Sequence, residues 1–220
     1  MFTQILTKLP VPNPQVEELL RVVGTKGFIG GGMARFVTMS HVFDVPEPRD
    51  IDIFPTSDEP WDEILEPLGY TKGNPLFNCV DYTHPDYSYH VQLVNPHSNE
   101  YITMWGSINH VLANFDFTIN QVGLQALDHG YLLVRGERTL GDLDSKTLHI
   151  SHMNNPVAMA ARVIKFSKLG YSISMSELTK LFIAWGERPE EYRNEITALV
   201  LNDSRNAEQS THLYQLLRTT

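Results

Sequence analysis

The sequence predicts an α/β fold: a small mixed β-sheet flanked by helices over about residues 1–150, followed by a short all-α region over about 151–220. Three observations carry this. Arg49–Phe54 alternates polar and apolar with period two, the pattern of a half-buried strand. Strand-like runs and helical periods alternate through the first two thirds of the chain. From about Ser151 onward the apolar spacing becomes helical throughout.

The elements follow in order. Pro10, Pro12 and Pro14 read as an extended lead-in, and Asn13-Pro14 starts a helix over Gln15–Val23 with Val16, Leu19, Leu20 and Val23 on one face. Gly24–Gly27 is a turn, and Phe28-Ile29 is a short apolar run that meets Gly30, Gly31 and Gly32. Met33–His41 is a helix, Pro46 and Pro48 mark a loop, and the strand Arg49–Phe54 comes next. Asp58-Glu59-Pro60-Trp61 starts a helix that runs to about Pro67. Phe77–Tyr82 and Tyr87–Val94 are strands that can pair, and Trp105–Asn114 is a helix. Thr118–Ala126 and Tyr131–Arg135 are strands joined by the turn Asp128-His129-Gly130. The all-α region holds Pro156–Leu169, Ser176–Trp185, Pro189–Asn202 and Ala207–Leu217.

Composition narrows the function classes. Hydrophobic residues at 42% and charged residues at 20% fit a soluble globular chain. No apolar run approaches the roughly 18 residues of a membrane-spanning helix, and the first residues lack the layout of a signal peptide. The single cysteine, Cys79, excludes a disulfide framework and a Cys-only metal cluster, so a reducing cytoplasm is the default compartment. The net charge is −9, of which −8 falls in residues 1–110 and −1 in residues 111–220. That balance disfavours extended non-specific nucleic-acid binding and leaves room for a local contact from the second half. His149-x-x-His152 has helical spacing, but no nearby cysteine or carboxylate set completes a zinc site.

The segment 28–54 carries the chemistry. Residues i and i+2 of a strand share a face, so Asp50 and Asp52 project together, about 7 Å apart at the backbone. Two such carboxylates suit hard divalent cations, Mg²⁺ or Mn²⁺, of the kind that support in-line phosphoryl or nucleotidyl transfer. The Gly30–Gly32 turn permits close backbone approach, and the helix after it offers N–H groups to phosphate.

Phe28-Ile29-Gly30-Gly31-Gly32-Met33-Ala34-Arg35, followed by Arg49-Asp50-Ile51-Asp52-Ile53, resembles the opening of the bacterial poly(A) polymerase and CCA-adding nucleotidyltransferase family. Asp116-Phe117-Thr118-Ile119-Asn120 resembles that family's Arg-Arg-Asp-Phe-Thr-Ile-Asn-Ala motif. Gly141-Asp142-Leu143 with Leu148, and Asn155-Pro156 through Arg162 to Tyr171, resemble two later segments in the family's order. The resemblance implies a nucleotidyltransferase head over 1–150 and a neck-like helical region over 151–220. It implies Asp50, Asp52 and Asp116 as catalytic and metal-binding residues, and Gly30, Gly31, Gly32 and Arg35 at the triphosphate. The substrates implied are an NTP and an acceptor hydroxyl at an RNA 3′ end, with pyrophosphate released.

The sequence also departs from that pattern. Phe36 stands for the family's Asp, Asn114-Phe115 for its Arg-Arg, and Asn155-Pro156-Val157-Ala158 for its base-reading Asp-Pro-x-Arg. Arg162 and Lys165 lie out of register with the missing arginine and are the candidate replacements for it. With Lys168 they form an i, i+3, i+6 stripe that faces either the nucleotide or solvent. Phe115-Asp116-Phe117 also resembles short nucleotidyltransferases predicted in phage genomes. A protein, small-molecule or host-tRNA acceptor, and a catalytically degenerate nucleotide-binding protein, stand as the alternatives.

Overall fold

The computed structural model describes residues 1–76, 79–94 and 107–201. Eight strands form one sheet: β1 (Phe2–Leu6), β2 (Gly27–Gly30), β3 (Asp50–Pro55), β4 (Thr71–Leu76), β5 (Cys79–Thr83), β6 (His90–Val94), β7 (Val122–Leu127) and β8 (Gly130–Arg135). Their order is β1-β8-β7-β2-β3-β6-β5-β4. The sheet is mixed, because β3 runs parallel to β6 while the other neighbours are antiparallel. The described helices are α1 (Pro14–Val23), α2 (Gly31–Met39), α3 (Trp61–Leu65), α4 (Ile108–Ala113), α5 (Thr139–Asp144), α6 (Pro156–Ser167), α7 (Met175–Gly186) and α8 (Glu190–Leu201). The fold is α/β with a helical C-terminal region, as the periodicity predicts.

Helix α1 shows why the sequence folds this way. Asn13 caps it by accepting a hydrogen bond from the Val16 N–H, Pro14 fills the first turn, and Gly24 at φ 54° ends it. Val16, Leu19, Leu20 and Val23 are fully buried. Each is worth about 1.5–3 kcal/mol of burial against the sheet, before the entropy of ordering is charged. They join Ile29, Ile51, Ile53, Leu124 and Leu133 in the main core, to which α2 adds Met33, Ala34 and Val37. The opposite face of the sheet holds a smaller cluster: Phe28, Val134 and partly buried Phe54 meet Ile108, Val111 and Leu112 of α4. The two faces separate along β3, where Ile51 and Ile53 are buried and Asp50, Asp52 and Phe54 are half-buried.

The C-terminal helices are tied to the sheet. A two-stranded parallel ladder joins β9 (Thr147–Leu148) to β10 (Ser172–Ile173). Met159, Val163 and Phe166 of α6, with Tyr171 and Leu181, belong to the main core. Asn155 caps α6, accepting from the Val157 and Ala158 N–H groups, and donates to the Tyr192 hydroxyl at 2.9 Å.

Several elements differ from the sequence reading. β1 was hidden behind the prolines at 10, 12 and 14; it lies before them and pairs with β8 along its whole length. β4 was not expected because it contains Gly73 and Pro75. It is an edge strand with a register shift between Lys72 and Pro75, the setting in which proline is tolerated. Thr118–Asn120 is a 3₁₀ turn rather than the start of a strand, since its polar groups bond to Asp142, His149 and Asp116 instead of a ladder. Residues 77–78, 105–106 and 202–217, which carried parts of predicted elements, lie outside the described residues. No described helix is long and apolar enough to cross a membrane.

Candidate active site

The site begins where β2 passes into α2. Gly31 has φ +67°, which a side chain would strain. A Cβ at Gly30 would lie 2.7 Å from the Phe54 ring, so that position also needs glycine. Gly30 is the N-cap residue of α2 and has no side chain with which to cap the first N–H groups of the helix. Gly32 approaches Pro48, where a Cβ would be 3.3 Å from the proline Cβ.

β3 lies beside this turn, with Asp52 paired to Gly30 across the ladder. The space a Cβ would take at Gly31 is 4.0 Å from Asp52 Oδ2 and 3.5 Å from the Phe115 ring. The glycine turn, Asp52 and Phe115 therefore meet at one point. Asp50 stands two residues back on the same face, opposite His90 of β6. In the sequence, Phe115 stands out as a departure from the Arg-Arg motif and as part of the Phe115-Asp116-Phe117 variant. The structure makes it a wall of this corner, with its ring 5.4 Å from that of Phe54.

Asp116 lies elsewhere in its contacts. It is 3% exposed. Its Oδ1 accepts from the Phe117 N–H at 2.8 Å and from Asn120 Nδ2 at 3.0 Å, and Oδ2 pairs with Arg162 of α6. Asn120 Oδ1 in turn accepts from Arg35 Nη1 at 2.8 Å, which also donates to the Ile119 carbonyl at 2.8 Å. A relay Arg35–Asn120–Asp116–Arg162 thus runs from α2 to α6. Arg35 is buried, with its guanidinium 5.8 Å from the Phe166 ring centroid. Burial lowers its pKa, against the attraction of Tyr171 and Asp116. Arg35 therefore braces the interior through these contacts. Asn120, the last residue of the Asp-Phe-Thr-Ile-Asn run, is the partner that sequence reasoning did not single out; its i+4 spacing from Asp116 was the available signal.

Among the described residues, no group of three or more His, Cys, Asp or Glu side chains is placed to hold one metal ion. Asp50 and Asp52 share a face, whereas both oxygens of Asp116 are engaged in the relay. Arg162 is half exposed, and Lys165 is exposed three residues further along α6.

A second polar cluster supports the Asp116 loop from behind. Asp142 accepts from the Thr118 hydroxyl at 2.5 Å and lies 2.9 Å from His149 Nδ1, while Arg138 Nη2 is 3.0 Å from His149 Nε2. The Thr118 N–H donates to the His149 carbonyl and the Ser151 N–H to the Asp116 carbonyl. His149 is thus held in a hydrogen-bonded cluster.

No protein-family model and no curated protein matches the chain. Solved structures do. The Thermotoga maritima CCA-adding enzyme complexed with tRNA aligns with a TM-score of 0.60 at 16% identity, over 99% of this chain and 55% of that one. A CCA-adding enzyme in complex with CTP aligns with a TM-score of 0.58 at 17% identity, over 94% of this chain and 52% of that one. A tRNA-processing enzyme in an apo form aligns with a TM-score of 0.56 at 18% identity, over 95% of this chain and 71% of that one. The chain spans about half the length of the CCA-adding enzymes it matches. What it shares with all three is the fold.

Proposed function

We propose that the protein transfers a nucleoside monophosphate from an NTP to an acceptor hydroxyl, and that the acceptor is an RNA 3′ end. One observation carries the reading: Asp50 and Asp52 share a face of β3 beside a glycine turn that opens α2 without a side-chain cap. Carboxylates for a cation and N–H groups for phosphate lie side by side there. The fold supports it, since neighbours of that fold include CCA-adding enzymes complexed with tRNA, CTP and ATP.

The donor set fits a divalent cation. Two hard carboxylates on one strand face, completed by the phosphates of an NTP, are a common way to hold Mg²⁺. Such a cation, Mg²⁺ or Mn²⁺, supplies charge stabilisation at the α-phosphate and the leaving oxygen. Asp50 and Asp52 would hold it, and the α2 N-terminus at Gly30–Gly32 would orient the triphosphate. Phe115 walls the corner beside the glycine turn. Asp116 and Arg35 act as positioning residues, fixing α6 and α2 through Asn120. Lys165 presents positive charge from α6 toward the nucleotide or primer, beside Arg162, whose guanidinium is engaged by Asp116. The acceptor oxygen bonds to the α-phosphorus, and the bond to the β-phosphate oxygen breaks. Pyrophosphate leaves, and the acceptor proton goes to solvent.

The test is incorporation of each α-labelled NTP into RNA, protein and small-molecule fractions, with Mg²⁺ or Mn²⁺ and an Asp50→Ala/Asp52→Ala control. Label in RNA that the control loses supports the reading and identifies the base. Label in protein or small molecules replaces the acceptor, a reading favoured by the net charge of −8 over residues 1–110. Absence of both label and metal-dependent NTP binding overturns the enzyme reading.

A further inference from the structure

The two edges of the sheet are built differently. β4, at one end, carries Lys72, Gly73 and Pro75 and a register shift. Charges, prolines and bulges are the usual means of keeping further strands off an exposed edge. β1, at the other end, has none of them. Phe2-Thr3-Gln4-Ile5-Leu6 is uncharged and stays in unbroken register with β8 from Arg135 to Tyr131. Among the described residues no strand pairs with its outer side. Phe2 is 53% and Ile5 57% exposed, and they point to opposite faces, so a covering strand would bury apolar surface on both.

We propose that β1 pairs antiparallel with β1 of a second copy of this chain, about a two-fold axis at Gln4, making one continuous sheet across a dimer. The strand is complementary to itself in that register. Phe2 meets Leu6, Thr3 meets Ile5, and Gln4 meets Gln4, with no like charges opposed. An isologous two-fold contact of two strand edges is antiparallel by symmetry. The flanks carry both signs, Arg135 and Glu137 at one end and Lys8 and Asp128 at the other, so the antiparallel arrangement does not set like-charged blocks together. Five residues span only about 17 Å, and the area buried falls below the ~800 Å² per partner of a standard interface. The contact is therefore a weak one.

Sedimentation equilibrium of the full chain from about 10 to about 500 µM reads the association directly. Ile5→Lys should weaken it at least about tenfold, because a lysine on an edge strand blocks pairing. Phe182→Lys, at a position 67% exposed on α7, should leave it unchanged. Circular dichroism of both variants checks that the fold persists. Mild oxidation then fixes the register. Directly opposed Cα atoms are about 4.5–5.5 Å apart, within disulfide range, so Gln4→Cys should cross-link. Thr3→Cys should not, since its copies are offset by two residues to about 8 Å. A monomer across the whole range overturns the proposal, and so does an association that survives Ile5→Lys.

Discussion

Asp50 and Asp116 belong to motifs that the resemblance assigns to one catalytic centre, yet the structure places them in different environments. Asp50 and Asp52 stand half-buried on the face of β3 beside the glycine turn. Asp116 is buried and spends both oxygens on Phe117, Asn120 and Arg162. The first pair stands where β3 meets the glycine turn. The second carboxylate is one link in a relay that joins α2 to α6. Asp116 is tied into the protein by three hydrogen-bonding partners, while Asp50 and Asp52 lie on the strand face beside the glycine turn. The contrast predicts that mutations in the two regions fail in different ways.

The largest effect is expected at the β3 pair. Asp50→Ala/Asp52→Ala should lower nucleotidyl transfer by at least about 10³-fold, by analogy with the loss of groups that stabilise transition-state charge. Its melting temperature should stay within a few degrees of the parent, because neither side chain is buried in the core. A large drop in stability with activity retained would reverse the contrast.

Next comes the relay. Arg162→Ala leaves the Asp116 carboxylate buried without its cation and should cost about 2–4 kcal/mol in urea unfolding, the lower end applying because Arg162 itself is half exposed. Double substitution with Asp116→Asn should recover part of that loss, since a neutral amide needs no counter-charge. If Arg162→Ala is neutral for stability, the relay is not structural. Gly31→Ala should cost less, about 1–2 kcal/mol for the left-handed backbone, and should weaken NTP binding more than it weakens folding. An unaltered nucleotide affinity would detach the glycine turn from the site.

The difference between the two regions also explains what the sequence could disclose. The β3 pair is local: period-two alternation in Arg49–Phe54 puts Asp50 and Asp52 on one face, and Gly30–Gly32 stand at a strand–helix junction. Short-range pattern suffices there. The relay is made by tertiary contacts. Arg162 reaches Asp116 across 46 positions, and Arg35 reaches Asn120 across 85. No periodicity encodes such a partner. The burial of Arg35 had one faint local sign. It sits in Met33-Ala34-Arg35-Phe36-Val37-Thr38-Met39, a run too apolar to offer it a solvent face. The edges of the sheet were illegible for a related reason. β1 and β4 are short and defined by their neighbours, and proline near one and within the other masks the strand pattern.

The smallest prediction extends the contrast to pH. Glu177 of α7 is a further buried carboxylate of the architectural kind. It accepts from the Ile150 N–H at 2.9 Å and pairs with Lys180 at 2.6 Å. Burial alone would raise its pKa, but the hydrogen bonds from Lys180 and Ile150 and the nearby charges of Lys180 and His149 outweigh that and hold it below the usual carboxylate value. A carboxyl whose pKa is depressed by folding stabilises the native state above its unfolded pKa, and loses that contribution as pH falls through its folded pKa. Glu177→Gln should therefore be less stable than the parent by about 1 kcal/mol at neutral pH, discounted for the exposure of Lys180. The gap should close as pH drops below about 4.5. Urea midpoints of both proteins between neutral pH and about pH 3 measure it. A gap that stays constant to the acid end would mean that Glu177 acts through shape rather than charge, and would remove it from the paired carboxylates that Asp116 exemplifies.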